Sequence, residues 1–216
     1  AYAHRFRETY NWPFQLKIYN EDLGMYAQIP ELKKFVERNK DRHKFTSYEE
    51  KNNDYRKDGV RFSYKVYAYT EAILQASNAV NGIICIDADS VFYKPIDGEW
   101  IRKHIHRDDC MMTHLGRPSY SECGFLYFNM SHPETKNYAR AMREMYDKDL
   151  IYKEVEQHDS YIWDVVRKIL EAKGVNNHNI GYNKEGHVQA RSVLGPIYDH
   201  TKGNRKLSGK SPEARV

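Results

Sequence analysis

Ile83-Ile84-Cys85-Ile86-Asp87-Ala88-Asp89-Ser90-Val91-Phe92 decides how this chain is read. The run is short, β-branched and apolar, with Asn81-Gly82 before it and Pro95 after it, and it predicts a buried strand. The strand ends in two carboxylates at i and i+2, which puts both acids at the rim of a sheet. Ionised carboxylates there are costly unless a cation meets them, and a hard divalent metal holding a phosphate is the usual answer. A solvated turn at a strand end is the plain alternative.

Around that strand the pattern alternates between helix and sheet. Ala1 to Tyr10 reads as a helix ended by Trp12-Pro13, and Phe14 to Tyr19 alternates as a strand. Pro30 to Arg38 is a short helix, and Asp41 to Lys57 a polar, charge-dense loop or insertion. Ser63 to Ala79 carries Val66, Tyr69, Ile73, Leu74 and Ala76 on one helical face and leads straight into the Asp-x-Asp strand. Asp97-Gly98 opens another helix. Cys110 to His114 and Cys123 to Asn129 read as strands, followed by amphipathic helices near Pro133 to Tyr146 and His158 to Ala172, the second stopped by Lys173-Gly174. From Asn176 onward a Gly-, Asn- and Lys-rich stretch loops back across the sheet. The alternation, with no linker and no repeat, predicts one α/β domain over residues 1–216.

Composition narrows the class. A chain of 216 residues can bury a proper core, and no run approaches the ~20 apolar residues of a membrane span. The first twenty residues are charged and aromatic, without a signal-peptide pattern. Cys85, Cys110 and Cys123 form no paired framework, and two of them sit in apolar strands, which predicts a reducing, cytoplasmic setting. A net charge of +4 and a pI near 8.8 suit a nucleotide as well as nucleic acid. The 18 tyrosines serve equally as a core or as stacking surfaces for sugars and bases.

A second stretch, Asp199-His200-Thr201-Lys202-Gly203-Asn204-Arg205-Lys206, puts an imidazole, a glycine and a lysine in one loop. Glycine lets backbone N–H groups approach phosphate oxygens, lysine supplies a point charge, and imidazole can complete a metal's coordination. A basic tail meeting solvent or nucleic acid is the alternative for this stretch by itself.

Together, Asp87-Ala88-Asp89 and the distal His-x-x-Gly-x-x-Lys resemble the glycosyltransferase A fold, and within it the retaining family-eight enzymes of the glycogenin and bacterial galactosyltransferase type. Ser121 to Asn129 is similar to that family's strand of a small residue and an apolar run ending in Asn. Gln157-His158-Asp159-Ser160 is similar to its acidic segment beside the donor sugar. Leu115-Gly116-Arg117, His158 to Tyr161 and His200 to Lys206 also resemble uncharacterised compact bacterial and phage glycosyltransferases, over about half the chain.

The resemblance implies a Rossmann-like central mixed sheet flanked by helices. It makes Asp87, Asp89 and His200 ligands of Mn2+, or of Mg2+, and Gly203 and Lys206 diphosphate contacts, with Asp87 and Ala88 also lining the nucleotide-sugar site. Relatives place a basic residue on the helix before the metal strand, so Arg61 and Lys65 are donor-binding candidates, against plain exposed helical cations. Asp159 is the candidate catalytic carboxylate, with a helix N-cap as its alternative. Glu122 and His158 are further donor or acceptor candidates.

The implied activity is transfer of a hexose from a UDP-sugar, glucose or galactose, to a glycan, lipid or protein acceptor with retention. It would take place in a bacterial cytoplasm, or in the host's for a phage enzyme. Two departures stand out: Lys206 is followed by Leu207-Ser208 where the family continues Pro-Trp, and the chain begins at the helix that should follow a first, base-binding strand.

A haloacid-dehalogenase-type phosphatase with Asp87 as nucleophile also uses Asp-x-Asp and Mg2+. That motif normally opens its fold, and no later Gly-Asp-x-x-x-Asp is found here. A sugar-nucleotide pyrophosphorylase would need a Gly-rich N-terminal loop. A basic nucleic-acid- or carbohydrate-binding module leaves the rim acids unexplained. The sequence fixes no oligomeric state.

Overall fold

The structure, a computed structural model, describes residues 14–19, 24–42, 55–181, 186–201 and 211–213. The expected helix over Ala1 to Tyr10, and Gly203 and Lys206, lie outside the described residues. The chain is mixed α/β, as its alternating patterns require, and it divides into two compact units, each assembled from separate stretches. One holds residues 14–18, 82–132 and those described from 176 onward; the other holds those described within 19–81, and 133–175.

The first unit carries every described strand: β1 (Gly82–Ile86), β2 (Ser90–Phe92), β3 (Cys110–Leu115), β4 (Glu122–Asn129), β5 (Asn176–Asn179) and β6 (Tyr198–His200). Four form an open mixed sheet in the order β1-β4-β3-β5, with β4 antiparallel to both neighbours and β5 parallel to β3. β2 and β6 make a separate antiparallel ribbon, with Ser90 opposite His200 and Phe92 opposite Tyr198. Every residue of β3 and β4 is buried, so both read as largely apolar runs, with a few buried polar residues, rather than as alternating ones.

Phe92, Ile105, Leu115, Phe125, Leu194 and Tyr198 form the core of this unit. Each such side chain contributes about 1.5–3 kcal/mol on burial. Ribbon and sheet share that core, and the Tyr198 ring packs edge-on against Phe92 and Phe125. The helix Gly98–His104 starts where Asp97 accepts the Trp100 N–H at 2.8 Å, and it adds Trp100 and Ile101 to the same cluster.

The second unit is helical, with Pro30–Asn39, Gly59–Leu74, Thr135–Asp147 and Asp159–Glu171 as its main elements. Buried Arg143 meets Glu71 at 2.8 Å and Thr70 at 2.9 Å, and the Tyr138 hydroxyl donates to the Trp163 carbonyl. A helix-period pattern at Ser63 to Ala79 becomes Gly59–Leu74, because Asp58 caps it early by accepting the Arg61 N–H.

Two local expectations are corrected. Residues 14–19 carry no strand, since alternation is a weak guide where strand preference depends on tertiary context. The stretch from Asn176 onward is not merely a loop: it supplies β5, the short helix Val188–Arg191 and β6. Strands of three or four residues are too short to show a period. Among the described residues no helix is long and apolar enough to cross a membrane.

Candidate metal centre

Asp87-Ala88-Asp89 occupies the tight turn between β1 and β2. The Ser90 N–H donates to the Asp87 carbonyl at 3.1 Å, so the acids hold the first and third positions of a four-residue turn, and Asp is favoured at the first. The Asp87 N–H in turn reaches the Gly124 carbonyl of β4. The Asp89 carbonyl accepts both the Thr201 N–H at 3.1 Å and its hydroxyl at 2.8 Å, which fastens the end of β6 to the turn.

That fastening delivers His200. Its Nε2 lies 2.8 Å from Asp89 Oδ1 and 3.4 Å from Asp87 Oδ2. One donor atom from each of the three residues falls within 4.8 Å of the others, and among the described residues this is the one such cluster of His, Cys, Asp and Glu. The residues fit a hard or borderline divalent cation in composition and in spacing. Oxygen and imidazole donors suit Mn2+, and neighbouring ligands at about 2.1 Å on one octahedral ion sit roughly 3 Å apart. The carboxylates are about a fifth exposed, at 21% and 22%, and the imidazole only 3%, so the centre opens to water on its acidic side.

β4 shapes the closed side. Glu122 and Gly124 are two residues apart, so both face one way, and that face meets His200. A Cβ on Gly124 would stand 2.3 Å from His200 Nδ1; the ring occupies the space that glycine leaves. Glu122 Oε1 accepts the Gly124 N–H at 3.1 Å and lies 3.5 Å from His200 Nδ1, while Oε2 pairs with Arg117 Nη1 at 3.0 Å. Arg117 also donates from Nε to the Tyr120 carbonyl and lies over the Tyr120 ring. Two residues before His200, the Tyr198 hydroxyl donates to the Gly124 carbonyl and bonds Ser90 Oγ. Buried Asp199 accepts the Ser211 N–H and lies 2.9 Å from His187 Nε2, so residue 211 is tied back to β6.

A second constellation lies in the helical unit. Asp159 is the first residue of Asp159–Glu171, and His158, not Asp159, caps it: His158 Nδ1 accepts the Tyr161 N–H at 3.4 Å. His158 Nε2 lies 2.7 Å from Glu156, and the Tyr55, Phe62 and Tyr161 rings surround it. Lys65 Nζ meets Asp159 Oδ2 at 2.7 Å, with the lysine side chain 18% and the carboxylate 7% exposed. Burial alone would raise the Asp159 carboxyl, but the Lys65 ammonium, helped by His158 and the Ser160 N–H, outweighs it and holds the group below the ordinary range.

A folded-state value below the unfolded one means that the pair stabilises the protein above pH ~4, and that this contribution is lost as pH falls through the lower, folded value. Asp159→Ala, which removes the carboxylate facing the mostly buried Lys65 ammonium, is expected to cost about 3 kcal/mol at pH 7. Asp159→Leu with Lys65→Met should recover most of that, and the gap between Asp159→Ala and the wild type should narrow as pH falls. Urea denaturation at pH 7 and pH 3 checks both.

Of the residues singled out by sequence, Asp87, Asp89 and His200 meet, with Ala88 between the acids at the tip of the turn, and Glu122 backs the imidazole. Lys65 pairs with Asp159, and Arg61 stands in the first turn of its helix beside the Phe62 ring. Gly124, Arg117, Tyr198 and Thr201 were not foreseen as parts of the centre. Sequence singles out Glu122 as a donor or acceptor candidate and Gly124 only as part of the strand Ser121 to Asn129; the partner of the face they share is supplied by the fold. Comparison with protein-family models, with curated proteins and with solved structures gives no match.

Proposed function

We propose that this chain is a metal-dependent glycosyltransferase that moves a hexose from a UDP-sugar, UDP-glucose or UDP-galactose, to a glycan, lipid or protein acceptor with retention. The observation that carries the reading is the convergence of Asp87, Asp89 and His200 on one point, from a turn and a strand far apart in sequence. The motifs that resemble the family-eight enzymes supply the donor. Cys85, Cys110 and Cys123 are buried and in no disulfide, which accords with a cytoplasmic setting.

Bound by these ligands, Mn2+ or Mg2+ would offset the charge that develops on the departing diphosphate. Asp87, Asp89 and His200 would hold it. Gly203 and Lys206, three and six residues beyond His200, are assigned to the diphosphate oxygens, and Arg61 to the donor. Stabilisation aimed at charge present only in the transition state speeds the reaction rather than merely tightening binding. Lys65 is engaged by Asp159, so its role here is to keep that carboxylate ionised; Asp159 is assigned to the positive charge developing at the anomeric carbon.

UDP release measured across a panel of UDP-sugars, with Mn2+ and with EDTA, tests the proposal. Metal-dependent release from one or more donors is the expected result. No release and no thermal stabilisation by any nucleotide sugar, alongside Mg2+-dependent hydrolysis of a phosphomonoester, would replace it with the phosphatase reading.

A further inference from the structure

We propose that Glu122 is the positioning residue of the metal centre: it holds the His200 ring through Nδ1, so that Nε2 is presented to the cation. The inference rests on the metal-binding reading above, and it concerns a carboxylate outside the group of three candidate ligands.

The two nitrogens of His200 face different partners. Nε2 looks toward Asp87 and Asp89, at 3.4 and 2.8 Å, and Nδ1 looks toward Glu122 Oε1 at 3.5 Å, across the space left by Gly124. A ring nitrogen can take a metal only through its lone pair, so the proton of a neutral imidazole must sit on the other nitrogen. At 3.5 Å the contact with Glu122 is electrostatic rather than a hydrogen bond, and a negative charge behind Nδ1 favours the proton there, the sense in which outer carboxylates orient metal-bound histidines.

Glu122 is itself held. It is only 4% exposed, its Oε1 accepts the Gly124 N–H, and its Oε2 is paired with Arg117, which is fixed in turn by the Tyr120 carbonyl and ring. A buried carboxylate is tolerable when a cation and hydrogen bonds meet it, and here the chain from Arg117 to Glu122 ends at His200 Nδ1, the nitrogen opposite the one proposed to bind the metal.

Mn2+ titration followed by electron paramagnetic resonance, on the full chain without nucleotide, tests this. Glu122→Ala is expected to weaken Mn2+ binding about 10–100-fold. Glu122→Gln keeps an acceptor oxygen in place and should recover binding to within a few-fold of the wild type, a rescue that mere filling of space by other side chains would not give.

Because Glu122→Ala leaves Arg117 without its carboxylate and can fail to fold, the wild type supplies an independent measurement. In the 15N-histidine spectrum of protein loaded with diamagnetic Cd2+, His200 should carry its proton on Nδ1 and the metal on Nε2. Metal on Nδ1, or a folded Glu122→Ala protein that binds Mn2+ within twofold of the wild type, overturns the role of Glu122 while leaving the metal centre standing. A wild type that binds no Mn2+ overturns both.

Discussion

Asp89→Ala is expected to abolish the joint thermal stabilisation by Mn2+ and UDP-sugar, and to weaken Mn2+ binding on the order of a hundredfold or more, since even outer-shell changes cost 10–100-fold. The loss is one carboxylate of a set of three ligands, so the site's charge falls together with its donor number. The substitution leaves the surrounding turn in place. The Asp89 carbonyl, not its side chain, receives both Thr201 bonds, and the Ser90 to Asp87 bond closes the turn without it. In the metal-free protein the lost contact with His200 is offset by relief of repulsion between two neighbouring acids. Unfolding free energy without metal should therefore stay within about 1 kcal/mol of the wild type. Calorimetric titration with Mn2+ and melting curves with and without UDP-glucose or UDP-galactose read the two effects separately. An Asp89→Ala protein that still binds Mn2+ like the wild type would remove the turn from the metal site.

Gly124→Ala is expected to be as damaging to metal binding, although residue 124 offers no ligand. The new Cβ would fall 2.3 Å from His200 Nδ1 and 2.8 Å from Cε1, far inside contact distance, and the ring is too buried to swing into water. Relief requires His200 to leave its place or β4 to shift, and β4 is paired on both sides. Forcing a methyl into such a site costs about 1–3 kcal/mol. Displacement of Nε2 from the acids adds a loss of Mn2+ affinity comparable to that of Asp89→Ala. Cys123→Ala, one residue away on the opposite face of the strand, is the control: it should lower stability modestly and leave metal affinity unchanged. Equal Mn2+ affinity in Gly124→Ala and the wild type would show that the ring does not need this space.

How much of this was legible follows from the range of each interaction. β1 and the Asp-x-Asp turn are local: apolar residues, a glycine before them and two acids after them lie within ten positions of sequence. The main helices are legible for the same reason, to within their caps; Asp58 starts one of them early by a single side-chain bond. The ribbon was not legible. β2 and β6 are three residues each, too short for a period, and their register is set by a shared core and by Thr201 gripping the Asp89 carbonyl. His200 could be tied to the acids from sequence only through a resemblance, and Glu122 and Arg117 gave no reason to be placed behind it. Lys65 and Asp159 were each noticed, but their ion pair arises from the packing of two helices, which no linear pattern encodes.

Asp89 and His200 lie 111 positions apart in the chain, yet their side chains stand 2.8 Å apart. A cation shared between them would therefore act as a removable cross-link closing a very long loop. Staples across long loops restrict the unfolded chain most, and a ligand that binds only the folded form stabilises it by mass action, about 2.7 kcal/mol at a concentration a hundred times its dissociation constant. Whoever handles this protein should see the effect in its durability: chelator in the buffer would shorten its survival against protease, and restoring Mn2+ would lengthen it.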